Sequence, residues 1–312
     1  MQLRQLGESG LTVSVIGLGA NNFGWRLDLD ESRPVIDAAL EAGINFIDTS
    51  DSYATGSSEE ILGEVLKGRR DEVVIATKFG SDMKGSNGPD FGARASRRYV
   101  VRAVEASLRR LGTDWIDLYQ LHRPDKITPL EETLAALDDL VHAGKVRYAG
   151  SSNLAAWQVA EADWVSRRAG LTRFVSAQNH YSLLERTAER ELVPACEAHG
   201  VSLIPYFPLA NGLLTGKWRR GAPAPEKSRL SGREAPSDAT FDVIEGIAAL
   251  AERAGITMTE LALAGLAAQP GVGSVIAGAT RPEQVRQNAA AGELDLSAEV
   301  LAALDEVAPA GR

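Results

Sequence analysis

Apolar residues recur in eight short runs, at residues 13–18, 44–47, 73–77, 116–121, 146–149, 174–177, 201–205 and 274–277. The runs are rich in β-branched residues and nearly continuous rather than alternating, the pattern of strands buried on both faces. Longer stretches with helical spacing lie between them, at 33–42, 58–66, 96–111, 129–143, 188–199 and 241–254. Their ends carry helix punctuation. Asp28, Asp30 and Ser32 precede the first, Thr128 precedes Pro129, and Gly43, Gly68, Gly112, Gly144, Gly200 and Gly255 follow the ends.

A strand–helix unit repeated eight times predicts an α/β protein, a parallel (β/α)8 TIM barrel forming one domain over residues 1–312. An open, doubly wound sheet is the structural alternative. It is weakened by Gly17-Leu-Gly19-Ala-Asn-Asn, where Asn22 occupies the place of the third glycine of a dinucleotide fingerprint. Residues 3–12 contain a Gly-Glu-Ser-Gly turn and predict a hairpin closing the barrel floor. Residues 217–240, rich in Pro, Gly, Ser and Arg, read as a long loop after the seventh strand, either a lid over a ligand or a passive excursion.

The 312 residues carry 42 acidic and 33 basic side chains, a net charge of −9, which argues against a phosphate-backbone binder and so against a nucleic-acid partner. The single cysteine, Cys196, excludes an internal disulfide and a thiolate metal cluster, and suits a reducing compartment. The first residues lack a signal-peptide pattern and no run reaches about 18 apolar residues, so a cytoplasmic protein without a membrane span is expected. Four histidines, His122, His142, His180 and His199, do not cluster as a metal hydrolase would need, and no metal site is expected.

Chemistry in such a barrel sits at the C-terminal ends of the strands. Asp48 ends the second run, Lys78 the third and His122 the fourth, while Tyr53 follows Asp48 by five residues. Each has a plain structural use on its own, but together they form a proton-donor site. A phenol with a pKa near 10 is eased toward phenolate by an adjacent ammonium, a carboxylate holds that ammonium, and an imidazole orients a carbonyl. Phe23 and Trp25, after the first strand, are candidate walls of the substrate pocket, which would favour aldehydes and moderately apolar ketones.

These residues lie within motifs that resemble the aldo-keto reductase family over nearly the whole chain. They include Ile44-Asn-Phe-Ile-Asp-Thr-Ser-Asp-Ser-Tyr53, Gly56-Ser-Ser-Glu-Glu-Ile-Leu-Gly63, Ala76-Thr-Lys-Phe79 and Asp117-Leu-Tyr-Gln-Leu-His-Arg-Pro-Asp125. Gly144-Lys-Val-Arg-Tyr-Ala-Gly-Ser-Ser-Asn153, Tyr206-Phe-Pro-Leu-Ala-Asn-Gly-Leu-Leu-Thr-Gly-Lys217 and Val275-Ile-Ala-Gly-Ala-Thr-Arg-Pro-Glu-Gln-Val-Arg-Gln-Asn288 follow in order.

The resemblance implies reduction of a small carbonyl compound by NADP(H), with Asp48, Tyr53, Lys78 and His122 as the catalytic tetrad. It implies that Ser152, Asn153 and Gln178 meet the nicotinamide carboxamide and that Tyr206 stacks on the nicotinamide. Pro208, Leu209, Gly212, Leu213 and Lys217 would line the pyrophosphate, and Gly278, Ala279, Thr280, Gln284 and Asn288 the adenosine end. Gly19, Ala20, Asn21, Asp48 and Phe207 count among the implied cofactor contacts, although Phe207 lacks the hydroxyl common at its position. Arg281 and Arg286 flank the adenosine segment as partners for a 2′-phosphate. Two other readings stand beside this one: a Schiff-base barrel aldolase using Lys78, and a cofactor-binding regulatory subunit similar to the beta subunits of voltage-gated potassium channels.

Overall fold

The computed structural model describes residues 1–225, 230 and 235–310. The chain opens with an antiparallel hairpin, β1 (Leu3–Gln5) and β2 (Thr12–Ser14). Then β3 (Ile16–Gly19), α1 (Leu29–Glu41), β4 (Phe46–Asp48), α2 (Ser57–Val65), β5 (Val74–Phe79) and α3 (Arg97–Leu111) alternate. They continue as β6 (Ile116–Leu121), α4 (Leu130–His142), β7 (Val146–Ser152), α5 (Ala156–Ala169), β8 (Phe174–His180), α6 (Leu192–Ala198) and β9 (Ser202–Tyr206). Two helices, α7 (Asp238–Ala254) and α8 (Met258–Ala267), precede β10 (Val275–Gly278), and α9 (Pro282–Ala291) and α10 (Ala298–Val307) follow it.

The eight strands β3 to β10 pair in parallel in the order β10-β3-β4-β5-β6-β7-β8-β9. The remaining seam closes through Leu203, whose N–H donates to Gly271 (2.8 Å) and whose carbonyl accepts from Gly273 (2.9 Å). The sheet is thus a (β/α)8 barrel, and the open-sheet alternative is excluded. The run at 13–18 divides. Val13 belongs to the hairpin, and Ile16–Gly19 is the barrel strand.

Two apolar clusters follow from this closure. The larger lies between strands and helices. The smaller fills the barrel bottom, where Leu6, Leu11 and Val13 of the hairpin meet Phe46, Ala76, Leu118, Ile204 and Ile276. The hairpin therefore plugs the floor. Its turn needs glycine at Gly7, where φ is +55° and an added Cβ would lie 2.5 Å from the Val175 carbonyl oxygen.

Several boundaries differ from the sequence pattern for local reasons. Helix α1 begins a turn early at Leu29, because Asp28 and Glu31 form a reciprocal capping box. The helix expected at 188–199 is shorter, a 3-10 turn at Thr187–Glu189 preceding α6. Helix α8 shows no apolar stripe because every one of its residues except Glu260 is buried, so periodicity could not reveal it. The interval before β10 is long because it holds α7 and α8 as well as a loop. A lid formed by 217–240 rests partly on residues 226–229 and 231–234, which lie outside the described residues. Among the described residues no helix is long and apolar enough to cross a membrane.

Candidate active site

Adjacent strands bring Asp48 and Lys78 together at the C-terminal mouth. Their side chains are buried, and Lys78 Nζ donates to Asp48 Oδ2 at 2.7 Å and to the Thr49 carbonyl at 2.8 Å. The same ammonium lies 3.3 Å from the Tyr53 hydroxyl and 4.9 Å from the centre of its ring. Asp48 is held from its other oxygen by Gln178 of β8, whose Nε2 donates to Oδ1 at 2.8 Å. His122, just past β6, packs edge-on to Tyr53 with ring centres 6.1 Å apart.

Tyr53 stands on a strained turn. Ala54, Thr55 and Gly56 all have positive φ, at 48°, 55° and 100°. For Ala54 and Thr55 this costs about 1–2 kcal/mol each. The buried neighbours offset it. Arg110 lies against Gly56, where a Cβ would meet its Cδ at 2.6 Å, and donates from Nε to Glu59 at 2.7 Å. Glu59 also accepts from Thr77 at 2.5 Å. The strain is thus concentrated in the turn that carries Tyr53.

The electrostatics correct one expectation. Burial pushes the Tyr53 phenol above its ordinary value; Lys78 pulls it back and Asp48 adds to the rise. The ammonium lowers the phenol as expected, but desolvation wins, and Tyr53 stays protonated at neutral pH. Burial works against the Lys78 ammonium, yet Asp48 and Tyr53 more than offset it and hold its pKa above the usual lysine value. A Schiff-base nucleophile needs the neutral amine, so this arrangement opposes the aldolase reading. Burial, then the charges of Lys78 and Arg123, lower His122 to about 3, so its ring is neutral at working pH. Its Nδ1 meets the hydroxyls of Ser50 (3.1 Å) and Ser81 (3.0 Å). With the Ser81 hydroxyl as the donor there, the ring hydrogen sits on Nε2.

Beneath these groups Asp51 is buried, accepting from Ser50 (3.3 Å) and Asn87 (3.0 Å). Burial and the nearby Glu59 raise its carboxyl to about 7, against the pull of Arg110. The folded state therefore keeps this proton to higher pH than the unfolded chain. The associated stability is complete below the ordinary carboxyl value near 4 and is lost as pH rises through about 7. His122 acts in the opposite direction. Below about 6.5 the unfolded chain takes up a proton that the folded one refuses until about 3, so stability falls with pH across that window. Asp51→Asn is expected to stabilise the protein at pH 8 by about 1–3 kcal/mol, with a much smaller gain at pH 5. Urea unfolding at both pH values measures this, and an equal gain at both would show that Asp51 is not the group that titrates.

A cavity of about 450 Å³ runs across the mouth from Tyr53, His122 and Asn153 past Tyr206 to Thr280, Gln284 and Asn288. Gly19, Asn21, Asp48, Ser152, Gln178, Phe207, Pro208, Leu209, Gly212, Lys217, Gly278 and Ala279 also line it. Tyr206 is backed by the parallel ring of His180 at 5.5 Å and donates to Asn153 Oδ1 at 2.8 Å. Ala20 is buried outside the cavity lining, and Lys78 sits beneath it; Leu213 and Arg281 do not line it. Arg286 faces Glu41 at 3.7 Å.

The anticipated substrate wall also differs. Phe23 is wholly buried in the core, because the segment after β3 turns inward there. Trp25 is 65% exposed with the Arg26 guanidinium stacked over its ring at 4.7 Å, and Arg26 rather than Trp25 reaches the cavity. Sequence reasoning did not single out Asn22, Arg26, Arg123, Asn211, Trp218, Thr259 or Gln287, all of which line the cavity. Only Arg123 carried a signal, its place next to His122. Cys196 is fully buried and its thiol pushed up to about 12, as a packing residue would be.

The closed parallel barrel thus carries a buried carboxylate–ammonium pair beside a phenol at its C-terminal mouth. The family model for the aldo/keto reductase family matches residues 15–309, and the chain belongs to that family. It is 37% identical to the versiconal hemiacetal acetate reductase of Aspergillus parasiticus, over 98% of this chain and 96% of that protein. It is 36% identical to a probable voltage-gated potassium channel subunit beta of Arabidopsis thaliana, over 92% of this chain and 90% of that one. A Bacillus subtilis (strain 168) protein named as an uncharacterized oxidoreductase is also 36% identical, over 99% and 96%. Membership implies a nicotinamide cofactor and a small-molecule substrate.

Proposed function

We propose that the protein reduces an aldehyde or ketone to the alcohol with NADPH, with Tyr53 as the proton donor. The observation that carries this reading is the line from the buried Asp48–Lys78 pair to the half-buried Tyr53, at 2.7 and 3.3 Å, ending at a cavity that His122 also lines. The cavity's residues fit such a cofactor. Tyr206 offers an aromatic face, Gly212 (φ +100°, open space around its Cβ position) permits close backbone approach, and Lys217 supplies a cation. Thr280, Gln284 and Asn288 give a polar far end.

The chemistry that a reduced nicotinamide would supply when bound there is hydride. The chain's own residues do the rest. His122 Nε2–H and the Tyr53 hydroxyl hydrogen-bond the carbonyl oxygen and polarise it. Tyr53 passes its proton to that oxygen as negative charge develops, and Lys78 stabilises the phenolate left behind. Asp48, fixed by Gln178, keeps Lys78 charged and aimed. Asn153 is held by Tyr206 and by its own Nδ2 bond to the His122 carbonyl at 3.0 Å, and with Ser152 and Gln178 it would meet the carboxamide.

NADPH fluorescence titration tests the reading. Wild type is expected to bind, and Lys217→Ala to bind about tenfold more weakly through loss of one charge-assisted contact. Absence of any nicotinamide binding would sink the proposal. The likeness to potassium-channel beta subunits supports a second reading, a cofactor-bound regulatory subunit. Binding without turnover on a broad carbonyl panel would favour it; the complete Asp48–Tyr53–Lys78–His122 set favours turnover.

A further inference from the structure

Among the described residues, the charged groups lining the cavity are Arg26, Asp48, Arg123 and Lys217. Asp48 is neutralised by Lys78. A chain with net charge −9 thus lines this cavity with three cations and no unpaired acid among the described residues. Lys217, in the segment after β9, is accounted for by the cofactor's phosphates under the reading above. Arg123 is not. It follows His122 at the end of β6, across the mouth from the adenosine end, and its charge acts on the rings of both His122 and Tyr206. It therefore stands at the carbonyl end.

The acid two residues on is committed elsewhere. Asp125 accepts from the Ala95 and Ile127 N–H groups and from the Thr128 hydroxyl, at 2.8–2.9 Å. Arg123 forms no ion pair among the described residues. Arg123 is exposed at the edge of the cavity, and its unpaired planar fork there matches a carboxylate. Arg26, reaching the same cavity from the loop after β3, adds to the positive field.

We propose that Arg123 is a specificity-determining residue that binds a carboxylate on the substrate, so that the preferred substrates are oxo acids: aldehydes or ketones bearing a carboxylate away from the carbonyl. This rests on the reductase reading and narrows it. It replaces the expectation of moderately apolar ketones, because the aromatic wall behind that expectation does not line the cavity.

The test compares kcat/KM with NADPH for 4-oxobutanoate and 3-carboxybenzaldehyde against their methyl esters, in wild type, Arg123→Gln and Arg123→Lys. The NADPH dissociation constant of each protein is measured in parallel. Wild type is expected to prefer each acid over its ester by about 10- to 100-fold, the worth of one charged hydrogen-bonding contact. Arg123→Gln should erase that preference while turnover of the esters and NADPH affinity stay within about threefold. Arg123→Lys, keeping charge but losing the fork, should retain part of it.

Equal use of acid and ester by wild type would overturn the proposal and leave the reductase reading standing. So would an equal fall for acid and ester in Arg123→Gln, or a loss confined to NADPH affinity, which would assign Arg123 to the cofactor. A preference for a phosphate-bearing aldehyde over both acids would overturn the choice of carboxylate. Binding of NADPH with no turnover of any carbonyl would overturn both readings.

Discussion

Tyr53→Phe is expected to lower kcat by between about 100- and 10,000-fold, the range that a positioned proton donor contributes, while NADPH affinity stays within about twofold. The substitution is unusually clean. The ring remains over Lys78 at 4.9 Å, and the edge-on contact with His122 at 6.1 Å is kept, so only the hydroxyl 3.3 Å from Nζ is removed. Single-turnover hydride transfer separates chemistry from cofactor release and is the measurement to make. Because burial keeps the phenol protonated well above neutrality, the wild-type rate should not decline near pH 7 through loss of the Tyr53 proton. A mutant that turns over normally would remove Tyr53 from the mechanism, and attention would pass to His122.

Lys78→Met carries the second large effect, and it concerns stability as much as rate. The lysine is fully buried and Asp48 nearly so, and they lie 2.7 Å apart. Removing the ammonium leaves a buried carboxylate with only the Gln178 amide and a long 3.5 Å contact from Gln120. Breaking a buried pair in this way costs about 3–5 kcal/mol. Urea unfolding should show that loss, and Asp48→Asn combined with Lys78→Met should recover most of it, since two neutral groups then face each other. Turnover should not recover, because the cation that stabilises phenolate is gone in both proteins. Recovery of activity in the double variant would assign the pair a purely structural role.

Much of the barrel was legible in the chain. A strand buried on both faces shows itself as an unbroken apolar run, and the glycines after helices are local signals, so the eight strands and six of the helices could be placed without the structure. Helix α5 hid for a different reason from α8. It presents Trp157 and Trp164 to solvent, 65% and 59% exposed, so apolar residues appear on its outer face too. The network below Tyr53 was also hidden. It joins Asp51, Glu59, Asn87 and Arg110 from four separate segments, and nothing local pairs residues 51 positions apart.

The sequence by itself determined which groups end successive strands, Asp48, Lys78 and His122, with Tyr53 five residues past Asp48. The parallel barrel then obliges them to share one mouth, because every strand runs in the same direction. Only the tertiary structure decided how those groups are charged and what else faces the cavity. Burial, which depends on packing from the whole chain, outweighs the ammonium at Tyr53 and strips His122 of its proton. The same packing turns Phe23 into the core and engages Asp125 with backbone and hydroxyl donors, while Arg123 lines the cavity without an ion pair among the described residues. Desolvation and pairing are set by neighbours distant in sequence, and for that reason they could not be read along it.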